Sequence, residues 1–263
     1  MLLSDVEKRI IKSYAGLQEV KAVAIGGSSA TGSGDATSDI DLYNFVDSEP
    51  SIEQREKIAL PYSSKYEIGG DYFGPGDEFR VDQTGRELDV MFFDRDWFEG
   101  LVRSVWLDCR PSNSYTTAFL YTLSNLVVVY DDPENWLSKL KKLISTPYPE
   151  KLRDNIINRS LMLMKDKPFS SYIEQIDKAI RRKDMNSVNH RTAAFMESYF
   201  DALFAINRLL HPGEKRLVAF ALSNCSKLPE DFEKDMDAAL TCKGPNLPKV
   251  LSTMVEKLRA IVL

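Results

Sequence analysis

The chain has 263 residues, 43% hydrophobic and 28% charged, which suits a globular protein able to bury a sizeable core without covalent staples. Cys109, Cys225 and Cys242 lie far apart, odd in number and without C-x-x-C spacing; this excludes a disulfide or zinc framework and implies free thiols in a reducing compartment. A net charge of −5 argues against a grip on a long nucleic-acid backbone and for a small or basic partner.

The first residues, MLLSDVEKRI, carry Asp5, Glu7, Lys8 and Arg9 where a signal peptide needs an apolar run. No stretch approaches the roughly 18 apolar residues of a membrane helix, so a cytoplasmic location without membrane contact is expected. A helix is predicted over 4–16, followed by strands at 21–25 (KAVAI) and 40–46 (IDLYNFV). Residues 51–58 read as a helix ended before Pro61. The Gly-, Asp- and aromatic-rich run from Tyr66 to Gly85 reads as a long loop or irregular hairpin, and strands follow at 87–93 (ELDVMFF) and 126–130 (LVVVY).

From about residue 133 the pattern turns helical, with predicted helices over 133–145, 149–166, 169–183, 185–210, 229–241 and 247–263. In the longest, Phe195, Tyr199, Ala202, Ile206 and Leu209 form an apolar stripe, ended by His211-Pro212-Gly213. Leu251, Met254, Leu258 and Ile261 repeat the spacing in the last segment. The simplest division is a mixed α/β domain over 1–132 and a helical domain over 133–263, with no internal repeat.

The informative stretch is 25–42, IGGSSATGSGDATSDIDL. A strand runs into Gly26-Gly27-Ser28, where glycine lets backbone N–H groups approach a phosphate and the Ser28 hydroxyl can donate to it. The next strand opens on Asp39-Ile40-Asp41-Leu42; residues two apart share a face, so Asp39 and Asp41 project together. Paired carboxylates repel unless a cation lies between them, and hard ions such as Mg²⁺ take oxygen ligands while leaving room for phosphates. Asp89 repeats the geometry inside the apolar strand ELDVMFF, where a charge must be paired or metal-bound. Together these residues describe a two-metal phosphoryl-transfer site. Asp39 and Asp41 would hold both Mg²⁺ ions, Asp89 the acceptor-side ion and a candidate proton, and Gly27 with Ser28 the β- and γ-phosphates.

Gly27-Ser28, a ten-residue spacer and Asp39-x-Asp41, with an isolated acid on a later strand, resemble the polymerase β-type nucleotidyltransferase superfamily. Spacing and the helical second half are most similar to its small-molecule branch, the lincosamide and aminoglycoside nucleotidyltransferases. ALFAINRLLHPGEKRL is similar to a helical domain found after such catalytic domains in bacterial proteins of unassigned function. The resemblance implies an α+β domain of nucleotidyltransferase fold, a mixed sheet flanked by helices, followed by an all-helical bundle that closes the cleft. It further implies a nucleoside triphosphate donor, ATP by default, two Mg²⁺ ions, and a small-molecule hydroxyl acceptor such as an antibiotic. It also draws Lys215, beyond the long helix, toward the triphosphate. Some drug-modifying relatives have Asp-x-Glu where this chain has Asp-x-Asp, which leaves the subfamily open.

Other readings stay beside these. Gly27 and Gly32 have P-loop spacing, but Ser33-Gly34 follow instead of a lysine and Ser or Thr, and that motif is excluded. Glu87 reads as an exposed strand-end charge, and Lys215 and Arg216 as charges complementing a helix C-terminus. His190, Glu197, Asp201 and Arg208, opposite the apolar stripe, read as a solvated face, with Glu197 the alternative general base. Tyr62, Tyr66, Tyr72, Phe73 and Phe79 read as packing for the irregular loop. Transfer to a protein partner and a non-catalytic nucleotide-binding module are the rival functions; retention of all three carboxylates counts against the second.

Overall fold

A computed structural model describes residues 3–27, 39–72, 74–242 and 244–262. Packing divides the chain into two compact units, Met1–Arg103 with Thr122–Thr146, and Ser104–Tyr121 with Pro147–Leu263.

The first unit is built on a six-stranded mixed sheet in the order β3-β4-β5-β2-β1-β6. Its strands are β1 (Val20–Ile25), β2 (Ile40–Val46), β3 (Lys65–Gly70), β4 (Gly76–Arg80), β5 (Glu87–Asp94) and β6 (Val127–Asp131). β2 and β5 pair in parallel, and the remaining pairs are antiparallel. The strands expected near 21–25, 40–46, 87–93 and 126–130 all form. The Tyr66–Gly85 run resolves into the β3–β4 hairpin, because Asp77-Glu78-Phe79-Arg80 alternates strictly between a buried and a solvent face.

Helices α1 (Asp5–Ala15) and α2 (Ile52–Ala59) cover one face of the sheet. Both start on capping boxes, Ser4 with Glu7 and Ser51 with Gln54, which satisfy the first free backbone N–H groups. Val6, Ile10, Ile11 and Tyr14 of α1 pack on Val23, Ile25, Ile40, Leu42, Leu88 and Val90. Arg55 of α2 is fully buried in this core. Its Nε lies 3.0 Å from both Asp77 carboxylate oxygens, and its guanidinium stands 4.5 Å over the Phe92 ring. Arg55 also donates to Glu49 and to the Gly76 carbonyl, while the Tyr14 hydroxyl and Gly69 N–H donate to Asp77.

On the opposite face, Phe45 and Phe93 meet Phe98 of α3 (Arg95–Trp106) and, at Phe45, Trp136 of α5 (Trp136–Ile144). The helix α3 was not assigned from the sequence, although Phe98, Val102, Val105 and Trp106 fall at helical spacing and are buried together. Its first turn is capped by Asp94, the last residue of a strand, whose Oδ1 accepts from Trp97 N–H at 2.7 Å. The helix α4 (Ala118–Asn125) was likewise not anticipated.

The second unit is helical: α6 (Glu150–Leu161) running into a π turn at Met162–Asp166, α7 (Tyr172–Arg181), α8 (Met185–Ile206), α9 (Leu217–Asn224), α10 (Phe232–Thr241) and α11 (Leu247–Ala260). The helix α9 escapes sequence reading because LVAFALSN has almost no polar face. The stripe Phe195, Tyr199, Ala202 and Ile206 is buried as expected. Asp201, however, is 3% exposed rather than solvated. Its carboxylate accepts from Thr116 N–H at 3.0 Å and from the Thr116 hydroxyl at 2.7 Å. Arg208 lies beyond the end of α8 and pairs with Glu150 at 2.6 Å. Among the described residues no helix is long and apolar enough to cross a membrane.

Removing one partner of a buried ion pair strands the other without water. Arg55→Ala should therefore destabilise the protein by about 3–5 kcal/mol in equilibrium denaturation. A loss below about 1 kcal/mol would show that the pair does not hold α2 to the sheet.

Candidate active site

The parallel register of β2 and β5 sets Asp41 directly beside Asp89. The flanking pairs Ile40 with Leu88 and Leu42 with Val90 turn to the opposite face and are buried, so both carboxylates stand on the face left open. β4 places Glu78 opposite Asp89, and β3 places Glu67 opposite Glu78. Asp41, Asp89, Glu78 and Glu67 therefore form one cross-strand row without a cation in it. The neighbouring row runs through Glu87, Arg80 and Lys65, where Arg80 lies 2.6 Å from Glu87. Asp39, two residues before Asp41, completes the acidic edge of a cavity of about 360 Å³ lined also by Lys65, Tyr66 and Phe79.

Electrostatics follow from this placement. Burial, then the charges of Asp41, Glu78 and Asp39, push the Asp89 carboxyl up to about 6. Burial, with Asp41 and Asp89, pushes the Tyr43 hydroxyl up to about 12. Tyr43 shares the face of Asp41 and stacks on Phe93 at 5.7 Å, dividing the aromatic end of this face from its acidic end.

Residues 7–113 match the family model of the nucleotidyltransferase domain. Residues 115–217 match a second model, the domain of unknown function DUF4037. No curated protein matches the chain. Among solved structures, the chain is similar to a nucleotidyltransferase-like protein from Exiguobacterium sibiricum. That likeness has 11% identity and a TM-score of 0.46, and covers 97% of this chain and 72% of the other.

Within the matched residues 7–113, Gly27 lies in the left-handed region, with φ of 63°. Ser28 lies outside the described residues. Lys215 is exposed on the turn before α9, in the second unit. Glu87 is the exposed strand-end charge expected of it, held by Arg80. Of the aromatic group, Phe79 is buried in the core, whereas Tyr66 and Tyr72 are exposed; Phe73 lies outside the described residues. Glu78, Glu67 and Tyr43 were missed from sequence. For Glu78 and Tyr43 the signal is the period-two alternation of GDEFR and IDLYNFV, whereas Glu67 lies in KYEIGG, which has no buried face to mark it.

Among the described residues no group of three or more His, Cys, Asp or Glu side chains is gathered closely enough to hold a metal ion. The donor chemistry nevertheless fits a hard divalent cation, since oxygen ligands of one sign crowd one face and raise the Asp89 carboxyl.

A carboxyl whose pKa is raised by folding carries a penalty only when charged. The penalty is absent below the ordinary value of about 3.9 and fully present above about 6. Asp89→Asn should thus stabilise metal-free protein at pH 7.5 by an amount on the order of 1 kcal/mol after solvent screening, read as a higher melting temperature. The gain should vanish at pH 4, and an equal effect at both pH values would contradict the repulsion.

Proposed function

We propose that the chain transfers a nucleoside monophosphate, AMP from ATP, to a hydroxyl of a small-molecule acceptor, with Mg²⁺ held by Asp39, Asp41 and Asp89. The observation that carries this reading is the side-by-side register of Asp41 and Asp89 on the open face of a nucleotidyltransferase domain. Bound there, divalent cations would offset triphosphate charge and lower the pKa of the attacking hydroxyl.

The remaining chemistry belongs to the chain. Asp39 and Asp41, two apart on one strand, present ligand oxygens in a common direction. Asp89 orients the acceptor side and receives the hydroxyl proton. Gly27 and Ser28 receive the β- and γ-phosphates. The acceptor oxygen bonds to the α-phosphorus as the bond to the bridging oxygen breaks, and pyrophosphate leaves. The aromatic cluster of Phe45, Phe93, Phe98 and Trp136 closes the other end of this same face.

Thermal melting with ATP, GTP, CTP or UTP, with and without Mg²⁺, tests the reading. At a hundredfold excess over Kd, a bound nucleotide should stabilise the protein by about 2.7 kcal/mol. The shift should need Mg²⁺ and disappear in Asp39→Asn plus Asp41→Asn. No shift with any nucleotide would overturn the proposal.

A further inference from the structure

Two consecutive glycines, Gly26 and Gly27, follow β1 and lie across the open face of β2. Gly26 N–H donates to the Asp41 carbonyl at 2.9 Å, extending the β1–β2 ladder past Ile25 and Leu42. A β-carbon at Gly26 would fall 2.4 Å from Cε2 of Tyr43. At Gly27 it would fall 1.7 Å from Oδ2 and 2.7 Å from Cγ of Asp41. Each glycine thus faces one side chain of β2, and residues 41 and 43 are the pair that share a face. At Gly74, Gly85 and Gly213 the backbone is also left-handed, yet an added β-carbon would meet nothing within 4 Å. Those positions need glycine for conformation alone, whereas Gly27 needs it for space as well.

We propose that Gly27 is a positioning residue for Asp41: its missing β-carbon forms the recess that seats the Asp41 carboxylate beside Asp89. A side chain at 27 would drive that carboxylate out of the row. The consequence for catalysis rests on the nucleotidyl-transfer reading above; the seat itself does not.

Mn²⁺ binding without nucleotide tests the proposal, using full-length wild type, Gly27→Ala, Asp41→Ala and the double variant. Gly27→Ala should weaken Mn²⁺ binding about 10–100-fold, the usual loss when a ligand's support is removed. Asp41→Ala should weaken it comparably, and adding Gly27→Ala to it should change little more. Wild-type Mn²⁺ affinity in Gly27→Ala, with only nucleotide binding lost, would overturn the seat and make Gly27 a phosphate contact. Melting in EDTA separates backbone strain from lost space. Gly27→Ala should lower the melting temperature more in wild type than in the Asp41→Ala background, and equal losses would overturn the seat. If Gly27→Ala does not fold, recovery of folding in the double variant supports the seat and failure of both overturns it. Absence of Mn²⁺ binding by wild type would count against the proposed function, while the melting comparison still decides the seat.

Discussion

The buried guanidinium of Arg55 constrains the first unit more than any other single group. A charge with no exposed surface must find its partners inside, and Arg55 finds Asp77 on β4, Glu49 before α2 and the Gly76 carbonyl. Those partners pin the β3–β4 hairpin and α2 to one another. Because strand residues alternate, an inward Asp77 requires an outward Glu78, and Glu78 then stands against Asp89. A one-residue slip would bury Glu78 and Arg80 and expose Asp77 and Phe79, which the ion pair and the core both oppose. The acidic row on the open face is in this sense set from behind, by the packing of the closed face.

The open face itself is graded. At one end Phe45, Phe93, Phe98 and Trp136 exclude water; at the other, Asp39, Asp41 and Asp89 border a cavity. Tyr43 marks the boundary and feels both, since burial and two carboxylates together hold its hydroxyl protonated. Like charges placed side by side destabilise a sheet. In the stretch that matches the nucleotidyltransferase domain model, the row of Asp41, Asp89, Glu78 and Glu67 lies beside the Glu87–Arg80 row, where the charges are of opposite sign.

The helical unit places polar groups in the interior for a different purpose. Asp201 accepts the backbone N–H and hydroxyl of Thr116, and the Thr117 hydroxyl accepts from His211 N–H at 2.8 Å. Burial holds the Asp201 carboxyl up at about 6 and the His211 ring down at about 4, the opposite directions expected of an acid and a base removed from water. These bonds fasten the irregular stretch before α4 to α8 and to the turn that ends it. Neither side chain was distinguishable from a solvated polar residue in the sequence, since helical periodicity registers which face is apolar and not how far neighbouring helices wrap around it.

By itself the sequence determined four of the six strands and most of the helices, because these depend on alternation and spacing within short segments. It also singled out Asp89, as a charge stranded among apolar neighbours in one strand. Register between strands was beyond it: that Asp41 meets Asp89, that Glu78 and Glu67 extend the row, and that Gly27 lies over the Asp41 carboxylate are facts of pairing between distant segments. The helix α9 also escaped it, because LVAFALSN lacks a polar face, whereas the amphipathic spacing of α3 was present in the sequence and was overlooked. Local periodicity decides what each segment becomes, whereas the side-chain neighbours that make a site are decided only when the core selects one register among several.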